Sequence, residues 1–400
     1  MDLKTGRLFW PEQSGPFPPL LELRRDLRCD VVIVGAGLTG ALIAHGLSCD
    51  GANMVLLDKR GVAAGSTSAS TALIQYEIDM PLHQLIRKRG AREAVRSYHL
   101  CRDAIDQIEA KVQALGASCR FCRRPSLYLA RTSAHVPGLR HEFKARRKAG
   151  FDVAYLERRE IERQFSFSGP AALRAAEAAE IDPYSFAQSL VRDAMTRGLR
   201  VFAPVTVQQI DSAQSRVILR TDAGRTVTAS KLILAAGYES TEFLRRKLVR
   251  LRSTYVLVTQ PVPSFDGWHE RCLIWEAGRP YHYLRTTHDR RMMIGGGDED
   301  FVSAEKRDAL IGRKARHLRT KLERMFPRIA IVPAYTWAGT FGDTKDGLPY
   351  IGTMPSARNI LFALCYGANG TNFAMFGANL ACDWVHQRHN GDAALFALQR

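Results

Sequence analysis

The sequence predicts an α/β (α+β) chain of two intertwined domains, one wound around a parallel sheet and split along the chain, the other built on an antiparallel sheet. Three observations predict this. Four hundred residues with 46% hydrophobic content suffice for more than one core. A buried-strand run, a glycine turn and a helix follow one another in DVVIVGAGLTGALIAHGL from Asp30, which is how a βαβ unit begins. A stretch rich in Tyr, Val, Leu and Trp and broken by turn residues, from Leu251 to Gly297, has the pattern of antiparallel strands.

The elements follow in order. Residues 1–28 hold Pro11, Pro16, Pro18 and Pro19 around Phe9, Trp10 and Phe17, so they are expected to form an arm without helix. A helix from Leu38 to Cys49 and a second strand from Met54 to Asp58 complete the first unit, and the hydroxyl-rich GVAAGSTSAST comes next. Pro81 to about Leu115 carries an apolar stripe of Leu85, Ile86, Val95, Ile105, Ile108 and Val112, a core-facing helix. In EIDPYSFAQSLVRDAM, Asp182 is placed to cap a helix whose first residue is Pro183 and which Gly198 ends. RVFAPVTVQQI, SRVILRT and KLILAAG are strands, Ser303 to Phe326 is helical, and strands near Ile331–Phe341 and Ile360–Leu364 lead to a last helix from about Asn372 to Gln387. Residues 29–80, 150–250 and 330–400 are thus assigned to a discontinuous nucleotide-binding domain, and 81–149 with 251–329 to a second, substrate-covering domain.

Composition narrows the class. No run of about 20 apolar residues exists to span a membrane, and the N-terminus lacks the apolar core of a secretion signal, so a cytoplasmic protein is expected. Eight scattered cysteines fit reduced thiols. Cys119 and Cys122 form one CxxC without the second pair or nearby histidines a metal site needs, and no metal is expected. The net charge of +17 attracts anions, but the basic residues are dispersed. The cluster Lys144, Arg146, Arg147 and Lys148 reads as a solvated helix face, and a nucleic-acid partner is not expected.

Gly35, Gly37 and Gly40 form GxGxxG between strand and helix, the Rossmann-like arrangement in which the first glycine makes the turn, the second admits a pyrophosphate and the third packs helix on strand. Leu38 and Thr39 open the helix, whose N–H groups and dipole face the phosphates. Asp58, eighteen residues beyond Gly40 and followed by Lys59, is positioned to accept both ribose hydroxyls of an adenosine. Two further features turn this dinucleotide reading toward FAD. KLILAAG ends in small residues at Gly237, and Gly367, Asn369, Gly370 and Thr371 precede the last helix. The dipole of that helix suits the negative charge of a reduced flavin.

VVIVGAGLTG with Asp58, GSTSAST, EIDP at 180–183, KLILAAGYES, YHYLRTT, RMMIGGGDED, DGLPYIG at 346–352 and YGANGTNF at 366–373 occur in this order. With them the sequence resembles the D-amino acid oxidase, or glycine and sarcosine oxidase, superfamily of FAD enzymes from Asp30 to about Ala381, and its arm is similar to that of the γ-glutamylputrescine oxidase branch. The resemblance implies FAD held by the split domain, with Ser66, Thr67, Ser68, Thr71 and Val205 beside the residues above. It implies an antiparallel sheet covering the flavin, and oxidation of an amine or amino-acid C–N bond to an imine by hydride transfer to flavin N5. That chemistry requires positioning more than a strong base, so no catalytic side chain is assigned.

Departures from the family pattern concern the substrate. Phe341 stands where an arginine often clamps the carboxylate of an amino acid, and Arg285 is the alternative clamp. Tyr281, Tyr283 and Arg285 alternate onto one strand face, and Tyr255, Tyr283, Arg285, Phe341 and Tyr366 are expected to line the pocket. Met293 occupies the place of the lysine that assists oxygen in sarcosine oxidases, so the electron acceptor is oxygen or an unidentified carrier. No cysteine lies near Gly339 to tether the flavin, and non-covalent FAD is expected. A flavin dehydrogenase with another acceptor and a basic flavoprotein acting on tRNA are the competing readings.

Overall fold

A computed structural model of the protein describes residues 1–116, 119–213, 215–244, 246–365, 367 and 369–400. Two sheets organise the chain. The first has strands in the order Tyr350–Met354, Ala357–Leu364, Thr226–Leu234, Leu27–Val34, Met54–Leu57 and Arg200–Phe202. The pairings from Ala357–Leu364 across to Arg200–Phe202 are parallel. Val31, Val32 and Ile33 are at most 2% exposed, because helices or further strands cover both faces, as a parallel sheet requires. Each such side chain contributes roughly 1.5–3 kcal/mol on burial. The helices Pro183–Thr196 and Gly370–Val385 both pack against Leu38–Ser48 on one face. A meander, Val207–Ser212 and Val217–Thr221, joins Thr226–Leu234 antiparallel on the other.

The second sheet runs Lys4–Gly6, Pro333–Asp343, Arg250–Thr259, Met292–Glu299, His282–Thr286, Leu273–Glu276, Cys122–Leu129, Ala171–Glu180 and Leu73–Gln75, with Val153–Glu157 beside Ala171–Glu180. Its pairs are antiparallel except Leu273–Glu276 with Cys122–Leu129. The helix Ile311–Met325 covers one face, burying Leu318 and Leu322. Among the described residues no helix is long and apolar enough to cross a membrane.

Several expectations change. The arm contains a helix, Phe9–Ser14, despite its prolines. Pro11 lies in the first turn, where no intrahelical donor is required. Phe9 and Trp10 are buried, and Trp10 Nε1 donates to Ser70 O at 2.6 Å. The helix foreseen from Pro81 to Leu115 is two, Leu82–Arg89 and Ala91–Leu115, divided at Gly90 with φ +82°. The strands Ala171–Glu180 and Pro333–Asp343, placed by sequence with the nucleotide-binding segments, belong to the antiparallel sheet. Arg146 is not on a solvated face. It is fully buried, donating to Glu142 at 2.7 Å and to Glu77 at 3.2 Å, since two carboxylates in the core require a counter-charge. Burial alone would raise the Glu142 carboxyl, but Arg146 and the donors of His83 hold it down at about 2.

Candidate functional site between the two sheets

A cavity of about 340 Å³ extends from the C-terminal end of the parallel sheet to the inner face of the antiparallel one. Gly35, Gly37, Leu38 and Thr39 line it at the first strand end. Gly35 has φ +109°, and a Cβ there would lie 2.4 Å from Ala235 O, so only glycine permits the turn. Gly40 does not line the cavity. Its Cβ would sit 1.8 Å from Gly35 O, and its role is to let the helix settle on the strand. The Leu38 N–H is taken by Thr67 Oγ1 at 3.0 Å, so part of the helix-terminal donor set is satisfied by the hydroxyl-rich segment itself.

Asp58 lines the cavity, but its carboxylate already accepts Ala36 N at 2.7 Å on Oδ2, and Arg60 N and Gly61 N at 2.7 and 2.8 Å on Oδ1. Three of its four lone-pair sites are used. One remains open on the side chain for a donor from a ligand. Lys59 and Arg60 also line the cavity and both pair with Glu239, at 3.3 and 2.7 Å. Burial works against ionisation of Glu239, but the Arg60 guanidinium overrides it and holds the carboxyl down at about 2.

Along the middle, Ser66, Thr67 and Thr71 face Val205 and the strand end Ala235, Ala236 and Gly237. Ser68 does not reach the cavity. It is 1% exposed and its Oγ donates to Gly65 O, closing the 3-10 turn Ser66–Ala69. Gly367, Asn369, Gly370 and Thr371 line the opposite wall at the start of the helix Gly370–Val385. Asn369 Nδ2 donates to the carbonyls of Gln75 and Glu77, both at 2.7 Å, which fixes this turn against the strand Leu73–Gln75. Cys365 borders it, and burial pushes its thiol up to about 12.

At the far end the strands of the antiparallel sheet supply the wall. Tyr281, Tyr283 and Phe341 line it. Gly295, paired with Tyr283 across the sheet, makes room for that ring, since a Cβ would fall 2.2 Å from it. Two expected pocket residues are elsewhere. Tyr255 lies on the other face because Thr254 and Val256 point into the cavity and side chains alternate. Its hydroxyl donates to Arg307 O at 3.3 Å. Arg285 is absent from the lining and 2% exposed. Its NH1 donates to the carbonyls of Thr71, Ala72 and Ile181 at 2.9–3.0 Å, so it ties the hydroxyl-rich segment to the sheet from behind. Tyr366 lies outside the described residues. Sequence reasoning missed Gln75, Asp79, Thr254, Trp275 and Asp298, which line the cavity. Only Thr254 had a usable signal, the strand alternation.

The cavity fits an elongated dinucleotide on two observations of the molecule itself. A backbone cradle at Gly35 excludes any side chain, and Gln75 Oε1 is buried in the wall with no donor. The family model for FAD dependent oxidoreductases (DAO) matches residues 30–384. The chain is similar to a putative Rieske 2Fe-2S iron-sulfur protein of Bacillus subtilis, 24% identical over 98% of this chain and 75% of that one. It is also similar to the gamma-glutamylputrescine oxidoreductase of Escherichia coli, 22% identical over 97% of this chain and 90% of that one. The crystal structure of glycine oxidase from Geobacillus kaustophilus has the same fold, with a TM-score of 0.77 at 20% identity, covering 94% of this chain and 99% of that one. Together with the glycine cradle and the two-sheet cavity, these matches place the chain in the DAO family of FAD-dependent oxidoreductases.

Proposed function

We propose that this enzyme oxidises the C–N bond of a small amine or amino acid to an imine, with FAD held non-covalently. The observation that carries the reading is the continuity of the cavity, which joins the glycine turn and Asp58 to a chamber lined by Thr254, Tyr281 and Tyr283. FAD, when bound, supplies the hydride acceptor for this chemistry. The chain's own residues do the rest. Gly35, Gly37, Thr39 and Asp58 hold the dinucleotide, while the N-terminus of the helix Gly370–Val385 adds its positive dipole end to the wall. Trp275, Tyr281, Tyr283 and Phe341 give the chamber aromatic surface, against which a substrate is positioned. Names of relatives support the substrate class. An anaerobic screen of amines and amino acids against the yellow holoenzyme, following loss of flavin absorbance, tests it. Failure of every amine to bleach the flavin overturns it.

Delivery of electrons to a carrier other than oxygen is a second reading. Met293 is fully buried on the inner face of the sheet, among Val256, Val258 and Trp337, and brings no cation toward the flavin. The relative whose name carries an iron–sulfur centre extends beyond the region that matches this chain. Hydrogen peroxide formed in step with substrate consumption counts against this reading.

A further inference from the structure

The chamber beyond the dinucleotide turn is lined by carboxylates and by no cation among its described residues. The lysine and arginine of the lining, Lys59 and Arg60, stand at the other end and are both engaged by Glu239. Asp79 and Asp298 face the chamber, from the segment after Leu73–Gln75 and from the strand Met292–Glu299. Asp79 is held: Tyr281 donates its hydroxyl to Oδ1 at 2.7 Å and Arg279 lies 3.6 Å from Oδ2. Arg279 is shared with Asp343, at 3.0 Å.

Asp298 differs. Its Oδ1 is buried without a hydrogen-bond partner. The Thr254 and Tyr283 hydroxyls lie 3.2 Å apart and line the chamber together with Asp298. Burial pushes the carboxyl up to about 6, with Thr254 and Arg279 lowering it and Asp79 and Asp343 raising it, and it is therefore ionised at pH 8. The Tyr281 and Tyr283 rings stand 6.1 Å apart and, with Trp275, give the chamber the aromatic surface that favours organic cations. The unsatisfied Asp298 Oδ1 in this wall is an acceptor that a donating ligand would satisfy.

We propose that Asp298, backed by Asp79, anchors a second cationic group of the substrate, so that the enzyme takes a diamine or a similarly cationic amine in preference to an amine bearing a carboxylate. The inference rests on the amine-oxidising reading above. The anchored cation is not the nitrogen being oxidised, because a carboxylate beside that nitrogen would favour its protonated form, which cannot give up a hydride. Phe341 in the wall is consistent with this, since it offers nothing to a carboxylate.

The test uses the holoenzyme and probes of matched length: 1,4-diaminobutane, butylamine and 4-aminobutyrate, with the half-saturating concentration read from anaerobic flavin bleaching. Butyltrimethylammonium, which is not oxidised, is titrated separately against the flavin absorption band. The diamine is expected to half-saturate about 10- to 100-fold below butylamine, the worth of one charge-assisted hydrogen bond. Asp298→Asn should remove that gap and the response to butyltrimethylammonium while leaving the flavin spectrum unchanged. Equal half-saturation, preference for 4-aminobutyrate, or a gap that survives in Asp298→Asn overturns the proposal. If Asp298→Asn does not take up FAD, Asp298→Ser and the wild-type probe series decide the same question. Should no amine bleach the flavin while butyltrimethylammonium perturbs it through Asp298, the amine-oxidising reading fails and the cation anchor stands.

Discussion

Replacing Arg285 by methionine separates two roles that the sequence leaves open for it. A substrate clamp would face the cavity; the structure instead buries the guanidinium behind Thr71 and Ala72, with Glu180 3.7 Å away. Arg285→Met leaves the carbonyls of Thr71, Ala72 and Ile181 without this donor, whereas Glu180 keeps Arg124 at 3.0 Å. Removing one member of such a buried charged network costs about 3–5 kcal/mol. For a chain of this size that corresponds to a fall in Tm of about 4–6 °C. Because the freed segment includes Thr71 of the cavity wall, FAD affinity should fall with stability. Arg285→Lys, which keeps the charge but not the fork that reaches several carbonyls, should lie between. Differential scanning fluorimetry that follows flavin release reads both quantities. A Tm within about 1 °C of wild type, with FAD retained and only the KM for carboxylate-bearing substrates raised, would falsify the structural assignment and restore the clamp.

Three further outcomes follow from the geometry. Asp58→Ala removes the acceptor for Ala36, Arg60 and Gly61 N–H as well as the remaining ribose site, and FAD titrated into the apoprotein should bind about 10- to 100-fold more weakly; unchanged affinity would place the ribose elsewhere. Gly295→Ala brings a methyl against the Tyr283 ring, so it should lower kcat/KM with FAD binding retained, and loss of the flavin itself would show that Tyr283 supports the cofactor instead. For Glu276, burial opposes ionisation but His282 and Lys321 hold the carboxyl down at about 2. A depressed carboxyl contributes stability that is complete above its ordinary unfolded value and is lost as pH falls through the folded one. Urea midpoints compared at pH 6 and pH 3 should therefore fall less in Glu276→Gln than in wild type; equal slopes would show that the pair contributes nothing.

The cofactor end of the cavity was legible because its constraints are local and covalently close. A turn that must pass Ala235 at 2.4 Å admits only Gly35, and a helix that must cap a phosphate site begins within three residues of it, so spacing alone announces the site. The same holds for Asp182, whose Oδ1 caps Tyr184 and Ser185 at 3.0 Å as its position before Pro183 predicts. Asp58 lines the cavity, but the backbone donors that occupy its carboxylate come from a turn whose closure no periodicity records. Arg146 was misplaced for a related reason: its burial depends on Glu77, sixty-nine residues away.

The substrate end obeys a different rule. Its wall is assembled from Asp79, Thr254, Trp275, Tyr281, Tyr283, Asp298 and Phe341, which converge only when the sheet has formed. Strand alternation fixes which residues share a face, but not whether that face meets the cavity or a helix. Tyr255 and Thr254 show the consequence, because one residue of register exchanges a hydroxyl that lines the chamber for a ring that Lys314 covers at 5.3 Å. The chamber wall of such a fold is therefore free to change by single substitutions on a few strands while the glycine turn stays constrained.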